Sequence, residues 1–374
     1  MAIHGTDGTA TTPPDSNIHD SLEQLTLDTV SEHIFELFSA HKPHDNQNLG
    51  YISRTEHALH VTVTMSEYDL YNAESRYVAG SSSGVRRINA RQRRDANATT
   101  TRCVLEFEIH QSPELLNSTS NHNSTTGAVL WQVSPLFAQW VLTPTSVFHH
   151  LFARSDTKML EIGAGVSGIL ACTLSAPMLA RRNAGGVYIA TDQFQILPLL
   201  RKNVQNNIVT VQDSIMRINH RKREEVGFVS LTLAGKHASR EEHSIKGHHH
   251  CQSSTDSGPR IEVMELDWEH ARMDIQHIRS NIFPSAPSTD FDVVIACDTV
   301  YNDFLISPFV DTLALLAGND THILVAMQMR AHDVQEEFIT TALEKGLAIW
   351  HVPAEQLSTD MRDGFAVYYM QKIS

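Results

Sequence analysis

Three glycines stand at positions 163, 165 and 168 in Leu160-Glu-Ile-Gly-Ala-Gly-Val-Ser-Gly168, directly after an apolar run. Glycine carries no Cβ, so this spacing lets a chain leave a strand, turn sharply and bring its backbone against a ligand. Helix-like sequence follows in Ile169-Leu-Ala-Cys-Thr-Leu174, and a helix N-terminus offers N–H groups to an anion or a polar ligand. Asp192 comes next. A carboxylate there can accept hydrogen bonds from two ribose hydroxyls, or cap the helical stretch after it, and the two roles are compatible. Asp267-Trp268 sets an indole beside a carboxylate; the ring can pack on a purine face or simply fill the core. Last comes Asp298-Thr-Val-Tyr301. It directly follows the fourth apolar run, where both side chains could face one crevice, or be a cap and a core ring.

These residues need elements to carry them. Lys158–Ile162, Gly186–Thr191, Arg260–Leu266, Phe291–Cys297 and His322–Met327 are short apolar runs separated by helical stretches, the pattern of buried parallel strands. Each of the four chemical sets lies at or just past the end of such a run. Ligands of open α/β sheets bind outside the carboxyl ends of strands, so the sets can converge on one crevice. Two closing runs, Leu347–Val352 and Phe365–Met370, are joined by a loop and predict an antiparallel pair at the sheet edge. Upstream, residues 1–20 read as a polar tail, with a short helix near Ser31–Ala40. His57–Thr64 and Cys103–His110 alternate as strands. Between them, Arg86, Arg87, Arg91, Arg93 and Arg94 mark a solvated loop or a basic contact patch. Residues 211–260, with His248-His249-His250, read as a polar insertion.

The 374 residues suit one large domain or two ordinary ones, and 41% hydrophobic with 19% charged residues excludes a disordered or collagen-like chain. The net charge of −14 argues against phosphate-backbone binding and suits a basic partner. No apolar run has the length of a membrane span. The opening MAIHGTDGTATTPPD lacks the features of a secretory leader. Cys103, Cys172, Cys251 and Cys297 are scattered without a CxxC pair, so a reducing compartment, the cytoplasm, is expected. The sequons at Asn97, Asn117 and Asn123 are then chance matches, and no metal site is expected.

Glu161 two residues ahead of the first glycine, Asp192, Asp267-Trp268 and Asp298-Thr-Val-Tyr301 together resemble the seven-β-strand, S-adenosylmethionine-dependent methyltransferases. Thr126-Gly-Ala-Val-Leu-Trp131, Pro135-Leu-Phe-Ala-Gln-Trp140 and Gly364-Phe-Ala-Val367 are similar to the branch that methylates protein lysines. The resemblance covers roughly residues 45–372 and departs at the His-rich insertion. It implies an α/β fold: a Rossmann-like, seven-stranded class I methyltransferase sheet over 126–374, a small N-terminal β extension over 45–125, and a disordered tail with a short helix over 1–44. It implies S-adenosyl-L-methionine as cofactor and a monomer acting on a basic protein, a large-subunit ribosomal protein first. Trp131 would line the cofactor pocket, and Glu161 belongs to the same set. Gly163, Ala164 and Gly165 would approach the methionine moiety, and Asp192 would hold the ribose. Asp267 and Trp268 would flank the adenine, with Ala296 or Cys297 supplying a contact at the end of the fourth run. Asp298 and Tyr301 would face the substrate lysine. Other readings are a methyltransferase of a non-ribosomal protein, a binding module without turnover and, more distantly, a dinucleotide oxidoreductase. A nucleic-acid N-methyltransferase lacks support because no Pro-Pro pair stands between Asp298 and Tyr301.

Overall fold

The computed structural model describes residues 16–41, 49–66, 102–116, 126–180, 185–222, 230–232, 258–286 and 289–373. Its strands are β1 (Glu23–Leu25), β2 (Ala58–Ser66), β3 (Arg102–His110), β4 (Lys158–Ile162), β5 (Val187–Asp192), β6 (Ser230–Thr232), β7 (Arg260–Glu265), β8 (Val293–Cys297), β9 (His322–Gln328), β10 (Leu347–His351) and β11 (Phe365–Lys372). The main helices are α1 (Val30–Ala40), α2 (Val133–Val141), α3 (Ile169–Leu174), α4 (Leu197–Lys222), α5 (Ala271–Ile282), α6 (Asp303–Leu316) and α7 (His332–Glu344).

The five apolar runs become β4, β5, β7, β8 and β9, all parallel to one another in one sheet of order β1-β10-β11-β9-β8-β4-β5-β7-β6. The chain steps from β4 to β5 and β7 on one side, then crosses to β8 and β9 on the other. That reversal beside β4 opens a crevice at the carboxyl ends. The closing pair is antiparallel as expected and stands at one side of the sheet, β11 beside β9 and β10 outside it, with only the short β1 beyond. Seven of these strands make up the expected Rossmann-like sheet. The sheet has nine because a three-residue strand adds at each end, β1 on β10 and β6 on β7, covering edges that would otherwise expose unpaired backbone groups.

Strand alternation sorts the core. Met159, Tyr188 and Ile295 face one side and pack with Phe137, Ile169, Leu200 and Val204 from α2, α3 and α4. Leu160, Ile189 and Val294 face the other and pack with Ile34, Ile278, Phe309 and Phe338 from α1, α5, α6 and α7. The β2–β3 ribbon is not an independent unit. Leu59, Val63, Leu105 and Phe107 join the first of these clusters. Two asparagines one turn apart on α4 pair with the backbone of β3. Glu108 N–H donates to Asn207 Oδ1 (2.9 Å) while Asn207 Nδ2 donates to Glu108 O (2.9 Å), and Asn203 does the same at His110 (2.9 and 2.7 Å). A free strand edge is thereby satisfied by side-chain amides instead of a third strand.

Two expected boundaries move. The short helix expected near Ser31–Ala40 is α1, but the polar tail over 1–20 does not hold for its described end, 16–20, where Ile18 is buried, and β1 then joins the sheet. The insertion over 211–260 begins later, because Ile208, Val211, Ile215 and Ile218 continue a buried stripe at helical spacing and carry α4 to Lys222. The arginine cluster, His248–His250, Cys251 and the three sequons lie outside the described residues. No described helix is long and apolar enough to cross a membrane.

Candidate active site

The glycine turn follows β4 as the spacing requires. Gly163 (φ 68°) and Gly165 (φ 61°) are left-handed. A Cβ on Gly163 would stand 2.8 Å from Thr299 Cγ2, and one on Gly165 would stand 3.1 Å from Gly127 O. Only glycine lets this backbone pass so close to both neighbours. Val166 N–H donates to Gly127 O (2.8 Å), which lays segment 126–128 along the turn. At the end of β5, Asp192 Oδ2 accepts from Gly165 N–H (2.7 Å) and Oδ1 from Gln193 N–H (2.8 Å). Burial nevertheless pushes the Asp192 carboxyl up to about 6 against the downward pull of these two amides.

A cleft opens here. Of the residues expected at the site, Trp131, Gly163, Ala164, Gly165, Asp192, Asp267, Trp268, Cys297, Asp298 and Tyr301 line it. Glu161 and Ala296 do not, and alternation along the strands is the reason. Glu161 points from β4 under the turn, 2% exposed, where Tyr188 Oη donates to its Oε2 (2.8 Å). Burial pushes its carboxyl up to about 8, so it is uncharged at neutral pH. Ala296 turns toward the α5–α6 side of the sheet, while Cys297 reaches the cleft. Trp268 is half-buried with its ring 4.9 Å from that of Phe309, and its Cζ2 lies 3.5 Å from where a Gly163 Cβ would be. Asp267 accepts from Glu269 N–H (3.1 Å) and caps the short turn Trp268–His270.

Asp298 departs most from expectation. It is the one described non-glycine residue with positive φ (59°), and its side chain is 1% exposed. Arg330 grips it bidentately, Nη1 to Oδ1 at 2.7 Å and Nη2 to Oδ2 at 2.5 Å, and Gln328 N–H donates to Oδ1 (3.2 Å). The carboxylate expected to face the substrate lysine already has a guanidinium as its counter-ion. Arg330 also donates from Nε to Leu49 O (2.8 Å) and lies over the Trp131 ring, 5.1 Å from the centroid. One residue thus ties the strand ends to the segment before α2. Trp131 Nε1 donates to Thr126 O (2.8 Å) and Thr126 Oγ1 donates to Tyr301 Oη (2.8 Å), which completes an aromatic wall. Arg330 escaped the sequence reading although it follows the fifth parallel strand, a place where the strand-end rule points. Thr299 escaped it as well; its Oγ1 is buried at the cleft without a hydrogen-bond partner.

These groups fit S-adenosyl-L-methionine. Each Asp192 oxygen holds one amide and keeps a lone pair for a ribose hydroxyl. Trp268 offers a ring to the purine, and the glycine backbone leaves space where any Cβ would intrude. The orphaned Thr299 hydroxyl wants a polar ligand.

Comparison with known proteins agrees with the resemblance read from the sequence. A family profile described as lysine methyltransferase matches residues 247–345. The ribosomal lysine N-methyltransferase 5 of Zygosaccharomyces rouxii is 33% identical over 265 residues, covering 66% of this chain and 73% of the relative. The protein of the same name from Saccharomyces cerevisiae (strain AWRI796) is 26% identical over 391 residues, covering 91% and 97%. Among solved structures, Aeropyrum pernix fibrillarin with bound S-adenosyl-L-methionine is similar over 59% of this chain and 68% of its own, at 13% identity and a TM-score of 0.33.

Proposed function

This chain belongs to the ribosomal lysine N-methyltransferase 5 family, and from that membership we propose that it methylates a lysine of a large-subunit ribosomal protein in the cytoplasm. It is an S-adenosyl-L-methionine-dependent protein-lysine N-methyltransferase. The observation that carries the site is the meeting of the glycine turn, Asp192, Trp268 and Tyr301 in one cleft where the strand order reverses. Asp192 receives the ribose hydroxyls, Trp268 beside Asp267 takes the adenine, and Gly163–Gly165 lie against the methionine part. Bound there, S-adenosyl-L-methionine supplies a methyl group on a sulfonium, which is already a good leaving group.

The protein must deliver a neutral amine in line with that methyl group, and such positioning is worth several kcal/mol of the barrier. A free lysine ammonium has a pKa of about 10.4, so a proton must leave first. Trp131 and Tyr301 wall the cleft and exclude water from the lysine stem, and desolvation favours the uncharged amine. Pairing Asp298 with Arg330 works in the same direction, because that carboxylate does not stabilise the ammonium form. The net charge of −14 draws a basic substrate such as a ribosomal protein.

Large ribosomal subunits from Zygosaccharomyces rouxii, incubated with the chain and methyl-labelled S-adenosyl-L-methionine, test this reading. Label on a lysine of one large-subunit protein is the expected result. Label confined to RNA or to small molecules overturns it.

A further inference from the structure

At the sheet edge remote from the cleft, three distant parts of the chain bring together two histidines and a glutamate. Glu23 lies on β1, His351 directly opposite it on β10, and His33 on α1 above them. One ligand-type atom from each lies within 4.8 Å of the other two. His351 Nδ1 is 3.5 Å and His33 Nδ1 3.8 Å from Glu23 Oε2. His33 (5% exposed) and His351 (7% exposed) are buried, and His351 Nδ1 has no hydrogen-bond partner. The Glu23 side chain is 55% exposed and leaves a route from solvent.

The spacings are long for hydrogen bonds. They are close to the ligand–ligand edge of about 3.3 Å that tetrahedral bonds of about 2.0–2.1 Å would produce. The outer partners are also in place. His33 Nε2 lies 3.1 Å from Tyr368 Oη, and Gln335 Nε2 donates to the same oxygen (2.6 Å). A phenol oxygen has two lone pairs, so it can accept from both. With the proton on His33 Nε2, donated to Tyr368, the lone pair of Nδ1 faces Glu23, as a coordinating imidazole requires.

We propose that Glu23, His33 and His351 form a binding site for a zinc-class divalent cation, with water as fourth ligand, that clips segment 16–41 to the sheet. Two imidazoles and one carboxylate suit zinc or cobalt better than magnesium or calcium. The ion binds only the folded edge and so stabilises it by mass action. The site is separate from the cleft and takes no part in methyl transfer.

Cobalt(II) tests the proposal, because tetrahedral cobalt absorbs strongly in the visible. His248–His250 and Cys251 would compete for metal, so the parent is the full chain with H248S, H249S, H250S and C251S. It should bind one cobalt ion with tetrahedral absorption, release it to zinc, and melt at a higher temperature with the metal than in chelator. H33Q and H351Q should abolish binding. Because those rings are buried, Glu23→Gln is the second arm: it should weaken cobalt binding at least tenfold while leaving the melting temperature in chelator unchanged. Tyr368→Phe should weaken it about tenfold by releasing the His33 tautomer. A parent that takes up no ion, or an E23Q chain that binds as tightly as its parent, overturns the proposal.

Discussion

Asp298 and Arg330 make the sharpest test of how the cleft is built. Arg330→Ala removes the guanidinium from a bidentate contact at 2.7 and 2.5 Å and leaves a carboxylate whose side chain is 1% exposed. A buried charge stripped of its partner costs about 3–5 kcal/mol, and loss of the contact with Trp131 adds about 0.5–1 kcal/mol. Asp298→Asn is milder. Asparagine tolerates the left-handed backbone at φ 59°, and Arg330, 20% exposed, keeps Leu49 O and the Trp131 face; a loss of about 1–2 kcal/mol is expected. The D298N/R330A double variant no longer buries an unpaired carboxylate, so it should be more stable than R330A alone. A coupling of about 2 kcal/mol or more follows. Urea unfolding at pH 7 measures the cycle, with S-adenosyl-L-methionine affinity and methyl-transfer rate followed in parallel. Coupling below about 0.5 kcal/mol, with D298N as stable as the parent but inactive, would refute this reasoning and return Asp298 to the substrate lysine.

Asp192→Ala should weaken S-adenosyl-L-methionine binding roughly ten- to hundredfold, since charge-assisted hydrogen bonds are worth about 1.5–3 kcal/mol; calorimetric titration that finds parent affinity in a folded variant would leave Asp192 only its backbone role. Donor hydroxyls prefer the ionised carboxylate, and Asp192 sits at about 6, so affinity in the parent should fall as pH drops through that value, by up to about tenfold per pH unit. Glu161 shifts the stability curve in the other direction. Its folded value of about 8 lies above the ordinary 4.5, so the unfolded chain ionises first, and the stability present below about 4.5 is lost as pH rises toward 8. Glu161→Gln lacks this loss. Its stability relative to the parent should climb by about 1.4 kcal/mol per pH unit across that window, reaching ~5 kcal/mol, and denaturant midpoints that stay parallel from acid to alkaline pH would show that Glu161 is ionised in the fold.

The sequence by itself determined the five parallel strands, the glycine turn and the carboxyl-end placement of Asp192, Trp268, Cys297 and Tyr301. These rest on local chemistry: apolar runs of strand length, glycines where φ must be positive, and a rule that sites form past strand ends. Tertiary structure alone decided the rest. Whether a strand residue faces the cleft or lies beneath it depends on which side the helices cover, so Glu161 and Ala296 looked like site residues and are core. The polar run after Val211 read as loop, because a one-sided buried stripe becomes visible only against the ribbon it packs on. Arg330 meets Asp298, Trp131 and Leu49 across the whole chain, and no local pattern announces a contact between residues so far apart. The Glu23–His33–His351 cluster has the same origin: a strand, a helix and a distant strand share one edge only after the sheet has closed over it.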